Sequence, residues 1–167
     1  MIHLSWEDIE ELVARLVADL PRDYDLLLVV TRGGMVPACL ISEQTDIRNI
    51  VAAAVMFYTG VGDTLPDPVF LQFPSDPLLH GKRVLIVDDV WDSGRTVTAV
   101  KQRIAAAGGN ADLAVLHYKP ANSKFHDKPD YYADKTDAWI VYPWDPIRAK
   151  PPVGVGAWKQ DLETSQP

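Results

Sequence analysis

The stretch Val84-Leu85-Ile86-Val87-Asp88-Asp89-Val90-Trp91-Asp92-Ser93-Gly94-Arg95-Thr96 concentrates the residue types that handle phosphates and cations. An apolar run ends in two adjacent acids, and a short loop with a glycine and hydroxyl side chains then opens a helical pattern. Such a loop offers unpaired N–H groups and the positive end of a helix dipole, both suited to a phosphate, and Ser93 and Thr96 can add hydroxyl donors. Asp88 and Asp89 would repel that phosphate if they faced it. They suit a divalent cation close by, or the paired hydroxyls of a ribose. A lone Asp-Asp pair would read as the polar end of a strand, but the whole string is more specific. It also differs from the longer Gly-x-x-x-x-Gly-Lys-Ser/Thr loop of nucleoside triphosphatases, which the sequence lacks.

Further clusters follow other apolar runs. Val29-Val30-Thr31-Arg32-Gly33-Gly34 places a basic residue and a glycine pair after a run, a pattern that by itself marks a sharp turn. Lys119-Pro120 follows a later run, and Trp139-Ile140 lies in another. Singly, Lys119 reads as a solvated lysine and Trp139 as a core aromatic. In a binding site Lys119 would be selective, because an ammonium donates to a carbonyl oxygen and can accept nothing from an amino group.

These residues need a scaffold that gathers strand ends. Ile9, Leu12, Val13, Leu16, Val17 and Leu20 recur at helical spacing, with Ser5 and Asp8 in capping-box positions and Pro21 closing the segment. An apolar run Leu26–Val30, a turn, a short helix around Val36–Ser42 and a run Ile50–Phe57 come next. A loop rich in Gly, Pro and Asp spans Tyr58–His80. The run Arg83–Val90 precedes a helix Thr96–Ala107 that Gly108-Gly109 ends, and runs Leu113–Tyr118 and Ala138–Tyr142 complete the pattern. Apolar strands alternating with helices predict an α/β fold: a single domain over residues 1–149 with a mainly parallel sheet flanked by helices, then a Pro-rich tail over 150–167, extended or partly disordered. In open sheets of this kind ligands bind beyond the carboxyl ends of the strands, where these clusters fall.

With 167 residues, 47% of them hydrophobic, the chain can build one core. No apolar run reaches the ~20 residues of a membrane-spanning helix, and the first residues lack the pattern of a signal peptide, so a soluble cytoplasmic protein is expected. A formal charge of −7 without a basic run argues against nucleic acid as a partner. It does not argue against a small anion, because a few placed cations and backbone amides decide the local field. The single cysteine, Cys39, sits among apolar residues and is expected to be a core thiol.

The Val84–Thr96 string resembles the phosphoribosyl pyrophosphate signature of the type I phosphoribosyltransferases. Lys119-Pro120 with Trp139 resembles the purine pocket of the family's 6-oxopurine branch, which includes bacterial xanthine-guanine and hypoxanthine enzymes. The likeness runs from Trp6 to Asp145. It implies the family's fold, with a small hood contributed by the C-terminal part, a homodimer or homotetramer, and Mg²⁺ as cofactor. The implied reaction joins hypoxanthine, guanine or xanthine to phosphoribosyl pyrophosphate and releases pyrophosphate; Lys119 should exclude adenine.

Residue by residue, Asp88 and Asp89 match the acids that hold the ribose hydroxyls directly or through Mg²⁺, and Asp145 matches an acid close to the metal and pyrophosphate. Asp92, Ser93, Gly94, Arg95 and Thr96 match the 5′-phosphate loop. Asp92 lies near purine N7 in this branch, which makes it the candidate general acid/base. Arg95 fills a variable position, either solvated or in contact with the phosphate. Arg32, Gly33 and Gly34 match the pyrophosphate loop, in which the peptide before the basic residue, here Thr31–Arg32, is often cis. Lys119 matches the donor to purine O6 and Trp139 the ring that stacks on the base, while Ile140 would offer its backbone carbonyl to the base edge. Asp137 matches no role and reads as a turn residue.

The sequence also departs from the family. The loop Phe57–Gly81, which in the family closes over the reaction centre, begins Phe57-Tyr58 where the hypoxanthine-guanine enzymes have Ser-Tyr. No Lys or Arg lies between Arg48 and Lys82, and Val141-Tyr142 stands where the xanthine-guanine enzyme has Glu-Gln. Two other readings remain open on the sequence: a non-catalytic regulator of the same fold that senses phosphoribosyl pyrophosphate or nucleotide, and transfer to a different base such as a pyrimidine.

Overall fold

The computed structural model describes residues 1–57 and 67–145. The larger compact unit, Glu7–Asp137, is built on a six-stranded sheet. In chain order its strands are β2 (Leu26–Val30), β3 (Ile50–Phe57), β4 (Pro68–Gln72), β5 (Arg83–Trp91), β6 (Asn110–Tyr118) and β7 (Tyr131–Lys135). β1 (Ile2–His3) and β8 (Ile140–Val141) belong to the smaller unit. The sheet order is β4-β3-β2-β5-β6-β7, parallel throughout except for the antiparallel edge strand β4.

The central strands are apolar on both faces because helices cover both. Every residue of β2 is buried, and Val84, Leu85, Ile86 and Val87 of β5 are fully so. Alternate residues serve opposite faces. Leu26, Leu28 and Val30 join Val84, Ile86, Leu113 and Val115 in one core with Val97, Val100 and Ile104 of helix α4 (Arg95–Ala106). Leu27, Val29, Leu85, Val87 and Leu116, between them, are buried as well. Helix α2 (Met35–Thr45) lies against β2 and β5. Helix α1 (Trp6–Asp19) buries Ile9, Leu12, Val13, Leu16 and Val17, the stripe that the sequence spacing predicts. At roughly 1.5–3 kcal/mol for each such side chain, that stripe outweighs the helix's modest intrinsic stability.

Element ends follow local chemistry. Pro37 sits in the first turn of α2, where its missing N–H costs nothing, and Asp46 ends that helix with φ 58°, its N–H donating to Ser42 O at 2.9 Å. Gly108 at φ 82° closes α4, and the Gly109 N–H reaches back to Ile104 O at 3.0 Å.

Several sequence expectations need correction. The segment read as a loop over 58–80 contains strand β4 and a one-turn helix α3 (Asp76–Leu79); residues 58–66 of it lie outside the described residues. The expected fifth strand, Ala138–Tyr142, shrinks to Ile140–Val141 and does not join the main sheet. It pairs in parallel with Ile2–His3 as a separate two-stranded sheet, with the Ile2 N–H donating to Trp139 O at 2.7 Å and the Leu4 N–H to Val141 O at 3.1 Å. Pro143, without an N–H, stops that ladder from running on. The edge beside β6 is taken instead by β7, whose sequence Tyr-Tyr-Ala-Asp-Lys is too polar and exposed to register as an apolar run. Cys39 is exposed and not a core thiol, because α2 turns Pro37, Ala38 and Ile41 inward. Trp91 is buried in the core. The tail beyond residue 145, including Trp158, lies outside the described residues.

One buried titratable group ties the sheet to pH. His117 on β6 is 2% exposed, and burial pushes its imidazole down to about 4, opposed by the Asp134 carboxylate and aided by Lys119 and Arg15. The folded state therefore prefers neutral His117. As pH falls below about 6.5 the unfolded chain takes up a proton that the folded chain refuses, so stability declines from 6.5 down to 4 and the loss is complete below that. Denaturant titrations across this window should show His117→Gln losing up to about 3 kcal/mol less than the wild type. An identical acid dependence in the two proteins would mean that His117 takes up its proton as readily in the folded chain as in the unfolded one.

Candidate functional site

Parallel neighbours β2 and β5 end at the same edge of the sheet, and both ends turn into loops suited to anions. After Val30 the chain turns through Thr31, Arg32, Gly33 and Gly34 into α2, and the Thr31–Arg32 peptide is cis, as the resemblance implied. The turn is pinned on both sides: the Thr31 N–H donates to Ala53 O at 2.9 Å, the Gly34 N–H to Val30 O at 2.9 Å and the Met35 N–H to Arg32 O at 3.1 Å. Arg32 is exposed. The two glycines have separate reasons. A Cβ on Gly34 would collide with the carbonyl oxygen of Val87 and stand 2.8 Å from that of Val30, so only glycine lets this turn lie against β5. A Cβ on Gly33 would come within 2.5 Å of the Asp89 carboxylate.

The structure thereby brings two of the sequence clusters together. Asp89 reaches the glycine turn, whereas Asp88 lines a cleft on the side of the second loop. Both acids are half-buried, and the Asp89 N–H donates to Asp88 Oδ1 at 2.9 Å. Burial, and after it the charge of Asp89, hold the Asp88 carboxyl well above the ordinary carboxylate range. Two acids at a strand end thus face two loops instead of forming one chelating pair. Among the described residues no group of three or more His, Cys, Asp or Glu side chains gathers as a metal cluster.

The second loop begins after Trp91. Its cleft, about 90 Å³ and open to solvent, is lined by Asp88, Asp92, Ser93, Gly94, Arg95 and Thr96 with neighbouring apolar residues. Gly94 caps α4 at φ 79°, and a Cβ there would stand 2.5 Å from the Trp91 ring. No side chain caps the helix, which leaves its first turn of N–H groups directed at the cleft; the Arg95 N–H has only a long contact to Ser93 Oγ, 3.4 Å. The Arg95 guanidinium carbon lies 5.1 Å from the centre of the Phe57 ring.

The connection from β6 to β7 braces this loop. Asn122 Nδ2 donates to Asp92 Oδ1 at 2.6 Å, Trp91 Nε1 to Ser123 Oγ at 3.1 Å, and the Lys124 N–H to Ser93 O at 3.1 Å. These three residues carry no motif, and only the hydrogen-bonding types in Asn122-Ser123-Lys124 hinted at them. Lys119 opens the same connection. Its N–H donates to Trp91 O at 2.9 Å, and the residue is only 7% exposed, unlike the solvated surface lysine its type suggests. Asp137 accepts from the Ala121 N–H at 3.0 Å, in keeping with a turn role.

The smaller unit holds the remaining candidates. Trp139 is 37% exposed, not the core aromatic its type suggests, and Ile140 is buried. The Asp145 N–H donates to Tyr142 O at 3.0 Å. Tyr142 and Trp144 stack at 4.7 Å between ring centres, and Trp144 lies 6.0 Å from Trp6.

An uncapped helix start and a glycine turn lie at the carboxyl edge of one mainly parallel sheet with two acids between, an α/β arrangement whose two loops are suited to anions. The model of the phosphoribosyl transferase domain matches residues 2–149, and the chain belongs to that family. A xanthine-guanine phosphoribosyltransferase of Roseobacter denitrificans is 32% identical over 157 residues, which cover 86% of this chain and 84% of that protein. Among solved structures, a purine phosphoribosyltransferase from Pyrococcus horikoshii superposes with a TM-score of 0.74 at 32% identity, over 86% of this chain and 93% of its own. A hypothetical protein from Neisseria gonorrhoeae with bound ppGpp gives 0.73 at 26% identity, over 87% and 89%.

The close approach at Gly34 is directly testable. Gly34→Ala should cost about 1–3 kcal/mol in denaturant unfolding, since backbone and not a flexible side chain must give way. An alanine variant as stable as the wild type would show that the turn does not press on β5 in this way.

Proposed function

We infer that this protein is a purine-salvage phosphoribosyltransferase that joins a 6-oxopurine base to phosphoribosyl pyrophosphate, forming the nucleoside 5′-monophosphate and pyrophosphate. The observation that carries the reading is the pair of anion-suited loops flanking Asp88 and Asp89, which matches a substrate phosphorylated at both ends of a ribose. The xanthine-guanine and purine specificities of its relatives support the choice of base.

In the reaction, purine N9 attacks C1′ while the bond from C1′ to the pyrophosphate oxygen breaks, and the electron pair leaves with pyrophosphate. The ribose passes through an oxocarbenium-like state, so positioning and charge placement do most of the work. Arg32 and the backbone N–H of Gly33 hold the leaving pyrophosphate, and Gly34, its N–H committed to Val30 O, shapes the turn that presents them. Asp88 and Asp89 hold the ribose hydroxyls. The helix-start amides with Ser93, Gly94, Arg95 and Thr96 hold the 5′-phosphate. Asp92, oriented by Asn122, manages the proton at purine N7. Lys119 donates to O6, Trp139 stacks on the base and Ile140 offers its carbonyl to the base edge.

The donor set suits Mg²⁺. Hard carboxylate oxygens, one of them destabilised as an anion by its neighbour, gain from a cation, and Mg²⁺ takes one or two carboxylates along with substrate phosphates. Asp88 and Asp89, each with the substrate's own oxygens completing the shell, are the residues at this strand end that would hold it, and when bound it would neutralise charge on the departing pyrophosphate; the family likeness alone adds Asp145 of the smaller unit. By the same family likeness the protein works in the cytoplasm as a homodimer or homotetramer.

An absorbance assay with Mg²⁺, phosphoribosyl pyrophosphate and each of hypoxanthine, guanine, xanthine and adenine tests the reading. Nucleotide should form from one or more 6-oxopurines and not from adenine. Asp92→Asn should lower kcat by about 10²-fold or more, the usual worth of a positioned general acid/base. Lys119→Ala should chiefly raise KM for the base. Turnover of adenine at a comparable rate, or none with any purine, would refute the assignment.

A further inference from the structure

We propose that Phe57 is a positioning residue for the 5′-phosphate site: its ring holds the Arg95 guanidinium flat, so that the edge of the guanidinium is ready to donate to phosphate oxygens. The proposal rests on the phosphoribosyltransferase reading above and deepens it. Phe57 is the last residue of β3 and Arg95 the first of α4, so the contact joins two elements at the edge of the sheet where the loops lie. The guanidinium carbon stands 5.1 Å from the ring centre, within reach of a cation–π interaction. Arg95 is also the one cation among the described residues that line the cleft.

The chemistry explains why an arginine on a ring suits this position. A guanidinium stacks through its face, which donates no hydrogen bonds, and leaves its N–H groups in the plane free at the edge. A long side chain held this way has already lost rotamer freedom before the phosphate arrives, so less is lost on binding. Lysine substitutes poorly, because an ammonium can sit over the ring but has no flat face that leaves a row of N–H donors free at its edge. The sequence gives a reason for the device. No Lys or Arg lies between Arg48 and Lys82, so the long segment after β3 brings no cation to the substrate. Position 57 carries an aromatic ring instead, and it fixes a cation supplied by α4.

Calorimetry on the full chain with Mg²⁺ tests the proposal, using phosphoribosyl pyrophosphate, ribose 5-phosphate and pyrophosphate as separate ligands. Phe57→Met keeps apolar bulk and removes the π face. It should weaken phosphoribosyl pyrophosphate and ribose 5-phosphate by about three- to tenfold and leave pyrophosphate, which has no 5′-phosphate, within about twofold. Phe57→Tyr should restore the affinity. Arg95→Lys should reproduce the loss, and Phe57→Met added to Arg95→Lys should weaken binding little further, because the pair acts as one unit. The Arg95→Lys comparison leaves β3 untouched, so it judges the proposal even if Phe57→Met unfolds: a lysine that binds ribose 5-phosphate as well as arginine does would overturn it. Equal weakening of all three ligands by Phe57→Met, or full additivity in the double variant, would overturn it too. A wild type that binds both sugar phosphates but turns over no purine would count against the enzymatic reading alone, and the contrast between variants would still decide the role of Phe57.

Discussion

The site depends on one close approach, the glycine turn after β2 pressed against the end of β5. Parallel pairing of Leu26–Val29 with Val84–Val87 brings both strands to the same edge in register. That alone would leave two unrelated loops. Because Gly34 has no side chain, the first loop lies against the carbonyls of Val30 and Val87, and Gly33 then meets Asp89. The distance between the two anion sites is thereby set by backbone contact, which side-chain motion cannot loosen.

The electrostatics follow from the same arrangement. A chain with a formal charge of −7 has no general attraction for an anion, so any anion it holds must be drawn by local fields. At this edge they come from the uncapped amides at the start of α4 and from Arg32 and Arg95, set against Asp88, which burial makes a poor anion on its own. On the phosphoribosyltransferase reading proposed above, acids between two phosphate sites repel the substrate until a cation arrives, which would couple binding of the sugar phosphate to that of the metal.

Much of this was legible in the sequence, and the rest was hidden for identifiable reasons. The strands Leu26–Val30 and Ile50–Phe57 stood out because the interior of a parallel sheet is apolar along its whole length, or nearly so. The loop Asp92–Thr96 stood out because its residue types and order have few other uses. Strand β7 was invisible because an exposed edge needs no apolar run; β8 lay within the expected run Ala138–Tyr142, but its partner β1 gave no sign, because two residues leave no period to read. Cys39 was misplaced because α2 is apolar nearly all round, so its sequence does not say which face turns inward. Position 122 could not be linked to Asp92 from sequence, since a contact across thirty positions leaves no local trace.

The short connection after β6 has a further consequence. It begins with Lys119, whose backbone holds the end of β5, and runs directly into Asn122, Ser123 and Lys124, which hold the loop that follows. One segment thus anchors both the end of β5 and the loop after it. Selection or design that exchanged this connection would disturb both anchors at once, so a change around Lys119 made by swapping the segment would also reset the geometry of the loop Asp92–Thr96.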